Sequence, residues 1–153
     1  MTVAFEDLHP GRTYDLGQIT VDEAEMLDFA RKFDRQPFHV DPEAARNSPY
    51  GGLIASGWFT IALFMRLYVD ALLLDSTSQG SPGGDEFRWL SPVRPGEQLS
   101  GWLTVVETRP SSTRADRGTA MMRGKLVRDG EPVLTVSFRG LFGRREPAEP
   151  VNR

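Results

Sequence analysis

Hydrophobic and polar positions keep different rhythms in the two halves of the chain. Thr13 to Ile19 alternates over a short span and predicts a strand. From Val21 to Phe33, Ala24, Leu27, Phe29, Ala30 and Phe33 recur at helical spacing. Acidic residues crowd the first turn, and Thr20 with Glu23 has the form of a capping box, so a helix is predicted to open there and run to Asp34. Pro37, Pro42 and Pro49 interrupt the passage to Gly52, which leaves mostly irregular backbone and one short helix around Glu43 to Arg46. Gly57 to Leu74, GWFTIALFMRLYVDALLL, is apolar nearly all round and predicts a long buried helix. Beyond it, Asp75 to Gly84 is rich in Ser and Gly and reads as a mobile, solvent-facing connection.

In the second half the period falls to two. Phe87 to Leu90, Leu99 to Thr108, Thr113 to Arg128 and Pro132 to Phe142 read as strands, and Asp129-Gly130 is the clearest hairpin turn. One early strand, a long apolar helix and a run of antiparallel strands predict an α+β fold with a sheet wrapped around the helix. One domain over 1–143 and a flexible tail over 144–153 are expected. The long apolar run raises the question of a membrane span. Arg66 and Asp70, spaced to pair on a helix, argue against it, and no membrane partner is expected.

Charge and composition narrow the function. The 18 basic and 21 acidic residues leave a formal net charge of −3, which supplies no basic field for nucleic acid. Cys is absent, which excludes disulfides, a thiolate nucleophile and Cys-ligated metal. The opening MTVAFEDLHPGRTYDLG lacks the basic and apolar regions of a secretory leader, so a cytoplasmic protein is expected.

Candidate chemistry concentrates in Asp34-Arg35-Gln36-Pro37-Phe38-His39-Val40-Asp41. A carboxylate and an imidazole five residues apart, on backbone stiffened by Pro37, can face one cavity and share a water. Equally, Asp34 can serve local amides while His39 is a solvated loop residue. His9 has no second His at ligand spacing and reads as a surface residue, so no metal site is expected. Gly51-Gly52 and Gly83-Gly84 lack the remainder of a phosphate loop, and no serine stands in a nucleophile-elbow context. Trp58, Phe59, Phe64 and Tyr68 read as core aromatics of the long helix.

The stretch from Phe33 through Arg66 resembles the hydratase motif of the MaoC-like, (R)-specific enoyl-CoA hydratases, with Asp34, Pro37, His39 and Asp41 in register. Phe87 to Glu97, FRWLSPVRPGE, is similar to that family's strand and following Pro-Val-x-Pro-Gly turn. The resemblance implies the hot-dog fold, a curved antiparallel sheet around one long central helix. It implies Asp34 and His39 as a catalytic pair that adds water to a trans-2-enoyl-CoA thioester or removes it from an (R)-3-hydroxyacyl-CoA. His39 would act as base toward the water, and Asp34 would relay a proton to the α-carbon. Gly57, at the start of the long helix, would offer an oxyanion-hole N–H, although a Gly there also suits tight helix-to-sheet contact. Gln36 stands where the family usually has Asn, and Ser56 where many members have His; with Trp58 they are candidate substrate contacts, Ser56 being also a candidate helix cap. Coenzyme A enters as part of the substrate, without a further cofactor, and Arg88, Arg94, Arg114, Arg117 and Arg123 are candidates for its phosphates. A homodimer or higher homo-oligomer is implied. The alternatives are a hot-dog thioesterase and a non-catalytic subunit that binds acyl thioesters.

Overall fold

The structure is a computed structural model and describes residues 1–149. Its strands are β1 (Thr13–Thr20), β2 (Gly83–Trp89), β3 (Gln98–Pro110), β4 (Arg117–Arg128) and β5 (Glu131–Gly143). Its helices are α1 (Glu23–Phe33), α2 (Pro37–Val40), α3 (Pro42–Arg46) and α4 (Gly57–Ala71). The strands form one antiparallel sheet in the order β1-β3-β4-β5-β2. Asp129 and Gly130 both adopt positive φ, 51° and 81°, as the tight turn between two twisted strands requires, and Arg128 then faces Glu131.

Alternation fixes which face of the sheet is buried. On β3, Leu99, Leu103 and Val105 point inward, and on β4 so do Ala120, Met122 and Leu126. They meet one face of α4, built from Phe59, Thr60, Leu63, Phe64, Leu67 and Tyr68. The helix docks closely: a Cβ added at Gly124 would lie 2.2 Å from the Phe64 ring, so the sheet must lack a side chain there. The result is the α+β hot-dog architecture expected from the sequence. Gly57–Asp75 has the length and mean hydropathy, 1.5, of a membrane span, but its apolar inner face is used by the core.

Several local expectations are corrected. Thr20 is the last residue of β1, paired with Gln98, and does not cap α1. Asp22 caps it, its carboxylate accepting from Glu25 N at 2.8 Å. Pro37 starts a short helix where irregular backbone was expected, while Pro42 starts the short helix expected around Glu43 to Arg46; at the first helical position the missing N–H costs nothing. Arg66 pairs with Glu25 of α1, at 2.7 and 3.2 Å, and makes no ion pair with Asp70. Only one face of α4 is covered, leaving Trp58 and Met65 on the outside.

The Ser/Gly-rich connection is laced to its neighbours: Thr77 N donates to Val3 O at 2.9 Å and Gln79 N to Leu141 O at 2.7 Å. β4 starts at Arg117, four residues later than expected. The expected free tail begins anchored. Arg145 holds Asp7 through both of its terminal nitrogens, and the Asp7 carboxyl is lowered to about 2 by that hydrogen bond. Positions 150–153 of the tail lie outside the described residues.

Candidate active site

α1 ends at Asp34, whose N–H still donates to Ala30 O at 2.8 Å. Gln36 is extended, with φ −61° and ψ 139°, and Pro37 opens α2 at its first position. That break turns the chain so that His39, in α2, comes back toward Asp34. The His39 ring is buried, with its Nδ1 2.8 Å from Ile54 O and its Nε2 3.3 Å from Asp34 Oδ2. A carbonyl only accepts, so Nδ1 carries the hydrogen and the lone pair of the neutral ring lies on Nε2. The reading of His39 as a solvated loop residue is thereby excluded.

Asp34 keeps 18% of its side chain exposed. Gln36 Nε2 donates to its Oδ1 at 2.8 Å. Burial works to raise the Asp34 pKa, but the Gln36 amide, the Ser56 hydroxyl, His39 in its protonated form and the Gln36 backbone N–H together outweigh it and hold the carboxyl below the ordinary aspartate value. The Ser56 hydroxyl is buried beside this carboxylate and makes no hydrogen bond of normal length. Nor does it cap α4, although Ser56 occupies the cap position. Its place beside Asp34 comes from the chain entering α4, where Ala55 N is held by Val93 O at 2.8 Å.

A cleft of about 470 Å³ opens over this pair, lined among others by Asp34, Gln36, His39, Gly57, Trp58 and Trp89. Trp58 is 57% exposed and belongs to this wall, a correction to its reading as a core aromatic; Phe59, Phe64 and Tyr68 are buried as expected. Trp58 meets Trp89 edge to face, with ring centroids 5.6 Å apart. Trp89 is the residue that sequence reasoning missed. Its indole N–H donates to Gly57 O at 2.9 Å, and a Cβ added to Gly57 would lie 2.5 Å from Trp89 Cε2. The space left by the absent Gly57 side chain is thus filled by the indole. The Gly57 N–H, first in α4, has no acceptor within the helix. The available signal for Trp89 was its position on one strand face with Phe87, next to the Ser91-Pro92 turn.

The arginines divide by partner. Arg88 pairs with Glu86, Arg114 with Asp116 at 2.8 Å, and Arg94 donates to Tyr50 O at 2.6 Å on the rim of the cleft. His9 is exposed. Among the described residues no three His, Cys, Asp or Glu side chains gather as a metal site would require.

Comparison with known proteins agrees with this fold. The profile of the MaoC like domain matches residues 6–123. Nodulation protein N of Rhizobium meliloti (strain 1021) is 32% identical over 129 residues, covering 78% of this chain and 77% of its own. The (R)-specific enoyl-CoA hydratase of Rhodospirillum rubrum is 28% identical over 142 residues, covering 89% of this chain and 93% of its own. The crystal structure of a MaoC-like dehydratase from Rhodospirillum rubrum superposes with a TM-score of 0.84 at 40% identity, over 94% of this chain and 99% of that one. The chain belongs to the MaoC-like domain family, among whose matched members are a hydratase and a dehydratase.

Proposed function

We propose that the protein adds water to a trans-2-enoyl-CoA thioester, or removes it from the corresponding (R)-3-hydroxyacyl-CoA, through Asp34 and His39. The observation that carries this reading is the pair of lone-pair atoms, Asp34 Oδ2 and His39 Nε2, 3.3 Å apart. Each accepts a hydrogen bond, so a water in the cleft donates one hydrogen to each and presents its oxygen lone pairs outward.

In hydration, His39 Nε2 takes a proton as the water oxygen bonds to the β-carbon. The π electrons move toward the thioester oxygen, where the Gly57 N–H and the positive end of α4 favour the growing charge. The proton passes to Asp34 and from there to the α-carbon, which restores both side chains. Only water and protons move, so the balance needs no redox or metal reagent, and coenzyme A takes part only as the thioester carrier. Trp58 and Trp89 form the apolar wall along which the acyl group lies.

A second copy of the chain completes the assembly. β2 is an edge strand exposed along its whole length; its Phe87 and Trp89, and Trp58 packed against them, lie uncovered.

The test follows loss of the conjugated enoyl absorbance and release of free thiol in parallel, across short, medium and branched enoyl-CoA thioesters. Absorbance should fall without thiol release. Asp34→Asn and His39→Ala should each lower kcat by about a hundredfold or more; Asp34→Asn should leave the thermal transition nearly unchanged, whereas His39→Ala, which empties a buried site and leaves the Ile54 carbonyl unpaired, should lower it. Thiol release would mark a thioesterase instead, and normal turnover in either variant would remove the mechanism.

A further inference from the structure

Gln36 occupies the N-cap position of α2 and yet makes no capping bond. Its side chain turns back to Asp34 Oδ1, at 2.8 Å. A carboxylate oxygen only accepts, so the amide is fixed with Nε2 toward Asp34 and its carbonyl end turned away. A carboxylate has a broad terminal torsion, so nothing internal to Asp34 fixes the plane in which it presents an oxygen to the imidazole.

We infer that Gln36 is a positioning residue: by binding one oxygen of the Asp34 carboxylate it fixes the carboxylate's torsion so that the other oxygen is held toward His39 Nε2. The inference rests on the proposed hydratase reading for its effect on rate, but not for the contact itself. Ser56 at the α4 cap, His39 in α2 and the Gln36 backbone N–H are the other groups that set the Asp34 titration. The Gln36 amide adds direction to what they supply as charge and polarity. Asn in this place would be one methylene shorter, which makes the longer side chain suited to reaching back across the cap.

Two measurements separate this role from substrate contact. The first is the titration of Asp34, read from its labelled carboxyl carbon by NMR on the protein without substrate, in the parent and in Gln36→Leu, Gln36→Glu and Gln36→Asn. The Asp34 pKa should rise in Gln36→Leu, which loses the donor. It should rise further in Gln36→Glu, which places a second negative charge beside it. Gln36→Asn, which keeps an amide donor, should fall between Gln36→Leu and the parent.

The second is steady-state turnover of an enoyl-CoA. In Gln36→Leu, kcat should fall by about tenfold to a hundredfold, as for a lost hydrogen bond to a charged group. KM should stay within about twofold, because binding of substrate and transition state is not what is removed. An unchanged Asp34 titration in both Gln36→Leu and Gln36→Glu would overturn the inference. So would a raised KM at unchanged kcat, which would make Gln36 a substrate contact. A parent protein that hydrates no thioester would instead overturn the hydratase reading, and the titration would still decide whether Gln36 governs Asp34.

Discussion

His39 owes its tautomer to a single backbone carbonyl fifteen residues away, Ile54 O, and its depth to the aromatic ring of Phe38 beside it. Spacing in the sequence brought Asp34 and His39 into consideration, but it carried no information about Ile54, because that contact depends on how the chain enters α4. Ser56 illustrates the same limit: a serine at a helix start is ordinarily a cap, and only its burial next to Asp34 reveals another role. Gly57 is subtler still. From sequence, its missing side chain suits either a close-approaching thioester oxygen or tight helix-to-sheet contact, and in the fold the occupant is the Trp89 indole. Gly57→Ala should therefore displace Trp89 and lower turnover by about tenfold or more, since small misplacements at a reacting site are expensive. Combining it with Trp89→Leu should restore part of the loss, as measured by kcat in the single and double variants. A double variant no better than Gly57→Ala alone would return the glycine to the thioester.

At the level of elements, alternation and turn chemistry made β3, β4, β5 and the Asp129-Gly130 turn legible, because each strand has one face in the core and one outside. α2 and α3 were not legible as a pair, because a proline signals both the end of a helix and the first residue of a new one. Neither was the partner of Arg66: local spacing offered Asp70, while the tertiary fold offered Glu25 with two parallel bonds. The energetic weight of these features differs. Leu126→Ala removes a fully buried side chain from β4 and should cost about 2–5 kcal/mol in denaturant unfolding. Arg66→Ala breaks a pair whose side chains are 49% and 44% exposed, so solvent screening should hold its cost below about 1 kcal/mol. A larger cost for Arg66→Ala than for Leu126→Ala would contradict this division between core and surface.

For the molecule as a whole, the sequence marked α4 as a helix apolar nearly all round, and the single chain covers only one side of it. The uncovered side reaches the exposed β2 edge through the contacts of Trp58 with Phe87 and Trp89, and this apolar surface is where the proposed second copy would dock. Phe87→Glu, placed on that edge strand, should convert the assembly to monomers in light scattering at micromolar concentration. An unchanged molar mass in that variant, or a monomeric parent, would show that β2 is not the joint.

Strand order also sets a timetable. β1 lies at the edge of the sheet, and among the described residues its only strand partner is β3, with Thr20 opposite Gln98 and Thr13 opposite Thr104. A ribosome reaches that partner only after roughly eighty further residues, an interval of about 4–16 s at ordinary synthesis rates. During that time α1 and the whole of α4 are made, and of the strands β1, β3 and β4 that pack on α4 only β1 precedes this point. The N-terminal half is thus made before most of the sheet it folds against, and the nascent chain depends on the late strands β3 and β4 to complete the seat of its helix.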